Sequence, residues 1–194
     1  MTKLNGSKKI KTAVFISGTG SNLINLIKFS HTKKSPIKIQ LVISDNKNAK
    51  GMKHAKNFKI KNKTFYYGKR KNPEKSILKE LRLNKIDVIC LAGFMKILSS
   101  NFIKRFKGKI LNIHPSLLPK YKGLNTHNRA IENKENYSGC TVHYVNSKLD
   151  SGKIILQKKV KISKNDNRFT LKAKILKQEH ILYPKALIKL FSNP

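Results

Sequence analysis

TAVFISGTGSNLINLIKF, residues Thr12 to Phe29, is the stretch that decides the fold. It opens with TAVFIS, an apolar run of strand length, turns through a glycine-rich segment, and continues as LINLIKF with apolar residues at helical spacing. A strand, a tight turn and a helix make one βα unit, with the helix expected to start at Leu23 and Ser21 or Asn22 as its cap. The same rhythm repeats: IKIQLVIS then GMKHAKNF, KTFYY then PEKSILKELRLN, DVICLAG then SSNFIKRF, KILNIH then THNRAIENK. Short all-apolar strands separated by helices predict a mostly parallel sheet covered on both faces. The rhythm then changes. CTVHYV and KIILQKKVKI are separated only by turn material around LDSG, which predicts an antiparallel addition near the C-terminus. A final helical region runs from Arg168 to Phe191, and Pro184 is expected to kink or split it.

A chain of 194 residues fits one domain, spanning 1–194 behind a basic tail at 1–11, and buries a core without staples. Cys90 and Cys140 lie inside apolar runs without metal-ligand spacing, so both read as small core residues in a reducing compartment. The first apolar run meets Gly18 after a few residues, too soon for a signal-peptide core or a membrane span. The expectation is a cytoplasmic protein with no membrane partner.

The formal net charge of +34 would ordinarily point to nucleic acid. Two features weaken that. Only five of the 43 basic residues are arginine, the residue favoured for bidentate phosphate and base contacts, and the lysines are spread through every segment. No specific nucleic-acid partner is expected.

Ser17-Gly18-Thr19-Gly20-Ser21-Asn22 can bring backbone amides close to an anion at a helix N-terminus, so a phosphate is expected there. A dinucleotide is the alternative, since Asp45 follows the second strand at roughly the ribose-binding spacing, but Leu23 replaces the third glycine of that motif. A plain tight turn is the other. Further along, Asn112 and His114 lie two apart at the end of a strand and so share a face at the sheet's carboxyl edge, where parallel α/β sheets bind ligands. A carboxamide and an imidazole can together hold a developing oxyanion, although a histidine before Pro115 can equally be a structural cap. Asp150, in KLDSGKI, is a third candidate or a lysine's ion-pair partner. LAGFMKIL, 91–98, offers an apolar slot or an ordinary loop.

ILNIHPSLLPKYKGLNTH, 110–127, together with SGTGSNL, 17–23, closely resembles the folate-dependent formyltransferases, in particular the branch acting on glycinamide ribonucleotide, and the resemblance runs from about Thr12 to Phe191. It implies a Rossmann-like formyltransferase fold and direct transfer of the formyl group of 10-formyltetrahydrofolate, a co-substrate, to the glycinamide amine through a tetrahedral adduct. Neither a metal nor a covalent enzyme adduct is expected. Partners are small-molecule substrates, and the chain is expected as a monomer or homodimer. Asn112, His114 and Asp150 fall on the family's catalytic asparagine, histidine and aspartate. Gly18, Thr19, Gly20, Ser21, Asn22 and Glu179 match its nucleotide-binding positions; Met95, Lys96, Ile97, Leu98 and Asn112 match its folate pocket. His143 matches a conspicuous position and reads as a supporting or core group.

The chain departs from the family pattern at Lys122, where proline is usual, at Ser151, a common glycine, and at Lys96, a common arginine. A folate-contacting arginine belongs near Gly68 to Glu74, with Arg70 unassigned between them. Rival readings are a formyltetrahydrofolate hydrolase, which uses water as acceptor, and a non-catalytic basic polyanion-binding protein. Methionyl-tRNA formyltransferase would suit the charge but normally adds an RNA-binding domain.

Overall fold

The βα rhythm closes into one seven-stranded sheet with strand order β3-β2-β1-β4-β5-β6-β7. The computed structural model describes residues 9–68 and 72–192; Arg70 and the first eight residues of the basic tail lie outside them. The elements run β1 (Ile10–Ile16), α1 (Ser21–Ser30), β2 (Ile37–Ser44), α2 (Gly51–Asn57), β3 (Lys61–Thr64), α3 (Glu74–Leu83), β4 (Val88–Leu91), α4 (Ser100–Arg105), β5 (Lys109–His114), α5 (Thr126–Glu132), β6 (Tyr137–Tyr144), β7 (Ile154–Lys161) and α6 (Arg168–Phe191). β1 to β5 pair in parallel, while β6 is antiparallel to both β5 and β7.

Side chains alternate across a strand, and here both sets are apolar. Val14, Ile16, Val42, Cys90, Leu111 and Ile113 pack on the face covered by α1, α2, α5 and α6. Ala13, Phe15, Leu41, Ile43, Ile89 and Ile110 pack on the other, under α3 and α4. Cys90 and Cys140 are buried and unpaired, and burial pushes each thiol up to about 12. The lysines have a place in this plan. Lys61 and Lys63 lie on the edge strand β3, and Lys158, Lys159 and Lys161 on the edge strand β7, where charge discourages pairing with another chain.

Three local expectations shift. β3 occupies Lys61–Thr64, so KTFYY begins in the strand and then leaves it, because β2 offers partners only from Leu41 to Ser44. Helix α1 starts at Ser21, with left-handed Gly20 as the cap residue and no side-chain cap bond. Pro184 neither splits nor ends α6. Proline lacks the N–H that would bond the carbonyl four residues back, here that of His180. Asn25 Nδ2 of α1 donates to that carbonyl at 2.7 Å. The helix tolerates the proline because its neighbour supplies the missing donor. Farther into the core, the fully buried Tyr183 hydroxyl lies 3.1 Å from the Leu91 carbonyl and 3.2 Å from that of Leu111, tying α6 to the end of β4 and the middle of β5.

Asn25→Leu should therefore destabilise the protein by about 1 kcal/mol in chemical denaturation. The loss should shrink in a Pro184→Ala background, where the helix supplies its own donor. Equal losses in both backgrounds would contradict this account.

Candidate active site

The carboxyl ends of three neighbouring parallel strands, β1, β4 and β5, carry the expected site residues. At the end of β1, Gly20 adopts φ 77, as a tight turn requires. A Cβ at Gly20 would also lie 2.6 Å from the Gly51 Cα, so this glycine serves close packing of the turn on α2. Gly18 has open space around its Cβ position. The first-turn N–H groups of α1, at Ser21 and Asn22, have no acceptor within the helix and face the region beyond the turn. Ser17 Oγ accepts the Met95 N–H at 2.8 Å, which joins this turn to the loop after β4.

Glu179 comes from α6 to the same place. Asn22 Nδ2 donates to its Oε2 at 2.7 Å, both residues are buried, and Asn22 Oδ1 has no partner among the described residues. Burial raises the Glu179 carboxyl to about 7, against the opposing pulls of Asn22 and Lys172. Asp45, the dinucleotide candidate, lies 3.8 Å from Lys96 Nζ. In the loop after β4, Met95 and Ile97 are 61% and 75% exposed, an apolar pair open to a ligand, whereas the Leu98 side chain joins the core.

Asn112 and His114 share one face of β5, and the antiparallel register sets Asn112 opposite His143 and His114 opposite Thr141. Asn112 Nδ2 is 3.2 Å from His143 Nε2, and His143 Nδ1 is 2.8 Å from the Tyr144 carbonyl. Burial lowers the His143 pKa, which favours the neutral ring. Its Nδ1–H donates to Tyr144, and Nε2 accepts from Asn112, which leaves the second amide hydrogen of Asn112 for another acceptor.

The β6–β7 turn leaves the sheet near the start of β5, where the Val145 N–H bonds the Ile110 carbonyl, and then folds back across the face. That return brings Asp150 Oδ2 to 3.4 Å from His114 Nδ1 and Oδ1 to 3.6 Å from His143 Nε2. Asp150 does this at φ 43, a left-handed conformation that aspartate tolerates better than most residues. A register shift at Val142/His143 in the β6–β7 pair marks the same spot, as bulges often do beside sites. So Asn112, His114, Asp150 and His143 form one cluster.

Two features of the loop after His114 carry no sequence signal. His114 Nε2 lies 2.8 Å from the Tyr121 backbone carbonyl, so a backbone group fixes the ring, and Gly123 N–H donates to Asp150 Oδ2 at 2.8 Å. Thr141, two residues before His143, pins the loop's beginning: its Oγ1 donates to the Ser116 carbonyl at 2.6 Å and accepts from Leu118 N–H at 3.1 Å and from Gln157 Nε2 at 2.9 Å. Two departures from the family pattern meet here, with Lys122 Nζ donating to Ser151 Oγ at 2.6 Å. Among the described residues no three His, Cys, Asp or Glu side chains are grouped to hold a metal ion, and no helix is long and apolar enough to cross a membrane.

Comparison with known proteins gives one pattern. A family model described as formyl transferase matches residues 10–187. The phosphoribosylglycinamide formyltransferase of Haemophilus influenzae is 45% identical over 186 residues, covering 94% of this chain and 87% of that protein. The trifunctional purine biosynthetic protein adenosine-3 of Homo sapiens is 42% identical over 183 residues; the match spans 93% of this chain and 18% of that longer protein. The crystal structure of phosphoribosylglycinamide formyltransferase from Brucella melitensis superimposes with a TM-score of 0.90 at 41% identity, over 96% of this chain and 98% of that one.

The buried Glu179 gives a test in the free protein. A carboxyl raised from 4.5 to about 7 contributes stability in full below pH 4.5, and loses it as pH rises through 7. Glu179→Gln should therefore unfold with a free energy higher than wild type by of order 2–3 kcal/mol at about pH 8, with the gap closing toward about pH 4.5. A difference that does not change with pH would refute the assignment.

Proposed function

The chain belongs to the formyl transferase family, and on that premise we propose that it transfers the formyl group of 10-formyltetrahydrofolate to the amine of N1-(5-phospho-D-ribosyl)glycinamide, a step of de novo purine biosynthesis. It acts as one cytoplasmic domain over 1–194. The observation that carries this reading is the cluster of Asn112, His114 and Asp150 beside the ends of β1 and β4.

The phosphate of the nucleotide is held by the backbone of Gly18, Thr19 and Gly20 and by the first-turn amides at Ser21 and Asn22, where the helix dipole adds to the hydrogen bonds. Glu179 and the unpartnered Asn22 Oδ1 take ribose hydroxyls, a role supported by their burial side by side. Met95, Ile97 and the backbone through Lys96 and Leu98 line the folate slot, which the exposed apolar pair supports.

The co-substrate supplies the formyl carbon that the glycinamide amine attacks; the tetrahedral adduct then collapses, the bond from that carbon to N10 breaks, and N10 takes up a proton as tetrahydrofolate leaves. Negative charge develops on the formyl oxygen, and the free amide hydrogen of Asn112 and the Nδ1 side of the His114 ring, as a hydrogen-bond donor, stabilise it. Donors set in advance cost no reorganisation at the moment of reaction, and losing one is worth about 10²- to 10³-fold in rate. Asp150 faces the same Nδ1 at 3.4 Å, holds the ring in its orientation, and receives or relays a proton from the attacking amine through water. His143 keeps the Asn112 amide turned so that its Nδ2 faces the reaction.

An acceptor panel tests the proposal. With 10-formyltetrahydrofolate, the protein should formylate glycinamide ribonucleotide, release formate slowly when no acceptor is present, and leave methionyl-tRNA unmodified. Rapid formate release unaffected by the nucleotide would make it a hydrolase. Absence of any turnover, with salt-sensitive polyanion binding that survives His114→Ala, would make it a binding protein.

A further inference from the structure

We propose that Tyr121 and Glu135, which lie outside the residues that touch substrate, position His114 for the formyl transfer assigned above, by holding the Tyr121 backbone in the conformation that aims its carbonyl at the imidazole. The inference rests on that functional reading only for its kinetic consequence.

The starting observation is conformational. Tyr121 sits at φ 56, in the left-handed region that a bulky side chain seldom adopts and that costs roughly 1–2 kcal/mol. In that conformation its carbonyl meets His114 Nε2 at 2.8 Å. Relaxation toward an ordinary backbone angle would turn the carbonyl, and the ring would lose the partner that fixes its rotation.

The side chain of the same residue opposes that relaxation from three directions. Its hydroxyl donates to Glu135 Oε1 at 2.8 Å and accepts from Asn133 Nδ2 at 3.1 Å. The Arg129 guanidinium lies over the ring, 4.9 Å from its centroid, while Nη1 of the same arginine donates to the Lys122 carbonyl at 2.8 Å. Lys120 Nζ in turn donates to both Glu135 oxygens, at 2.8 and 3.1 Å. These are contacts of partly exposed groups, and each adds little to global stability. Their value is geometric.

A purely structural role does not account for the hydroxyl's bonds. Tyr121 and Glu135 border a cavity of about 450 Å³ that also touches Leu117, Lys120, Tyr137 and Lys159. Water there could satisfy the hydroxyl, so no buried polar group would be orphaned without Glu135. What Glu135 adds, and water does not, is a fixed anchor for the ring. A fixed ring fixes the carbonyl, and the carbonyl fixes His114. The anchor thus reaches the catalytic imidazole through one residue's backbone.

The test uses Tyr121→Phe and Glu135→Gln, each nearly isosteric, with two readouts on the full chain. Each variant should lower kcat about tenfold, since a misplacement of order 1 Å costs up to about 10²-fold, while KM for both substrates stays within about twofold. The ¹H–¹⁵N signal of His114 Nε2–H, protected by its bond to the Tyr121 carbonyl, should broaden through solvent exchange in both. Because the two residues act through one link, the double variant should be no slower than the worse single one. Retention of the sharp signal and of kcat in both variants would overturn the proposal. So would a loss of kcat matched by an equal rise in KM. If wild type transfers no formyl group, the functional reading fails, and the signal alone still decides whether Tyr121 and Glu135 position His114.

Discussion

The antiparallel pairing of β6 on β5 is the constraint from which the site follows. It sets Asn112 opposite His143 and His114 opposite Thr141, so one register fixes four polar side chains at once. A slip of one residue would turn Asn112 and His114 into the core under α1 and α6 and carry Leu111 and Ile113 out of it. The burial of Leu111 and Ile113 opposes that slip. Core packing therefore enforces the geometry of this cluster. Everything else adapts to it: the turn after β6 folds back to deliver Asp150, and the loop after β5 closes with Tyr121 and Gly123 against His114 and Asp150.

The electrostatic setting is unusual for so basic a chain. Several of the carboxylates pair with lysines, Glu80 with Lys61 and Lys63, Asp166 with Lys174, Glu135 with Lys120. The bonds from both lysines hold the Glu80 carboxyl down at about 2. Asp150 differs because it faces two imidazoles with no lysine partner among the described ion pairs, and Glu179 because burial holds it near neutrality. Those two acids mark the cleft against a surface that is otherwise cationic. Such a field favours capture of phosphorylated and carboxylated substrates at low salt, over a Debye length of about 8 Å at physiological ionic strength.

Much of this was legible in the sequence. Both faces of β1 and β4 are apolar, so runs such as TAVFIS and DVICLAG announced a covered sheet, and turn chemistry separated CTVHYV from KIILQKKVKI. The two-residue spacing of Asn112 and His114 gave a shared face directly. The resemblance brought Asp150 and Glu179 to notice; spacing alone left Asp150 open, since its approach depends on a turn that folds back. Other parts had no local signal. Tyr121 acts through a carbonyl that every residue possesses, and its left-handed backbone is not written in its side chain. Pro184 misled for the opposite reason, because the donor that rescues it, Asn25, is far away in sequence. Gly20 was expected to admit a ligand, yet its neighbour Gly51 shows that it also admits the backbone of α2.

The central claim is that Asn112, His114 and Asp150 work as one unit on the reacting formyl group. Single-turnover transfer from 10-formyltetrahydrofolate to bound glycinamide ribonucleotide, measured for His114→Ala, Asp150→Asn and the double variant, addresses it most directly. The account predicts that each single change slows the chemical step by roughly 10²-fold or more, with nucleotide affinity within a few fold, and that the double variant is far less impaired than the product of the two losses. Losses that multiply, or a His114→Ala protein that transfers the formyl group at near the wild-type rate, would contradict it.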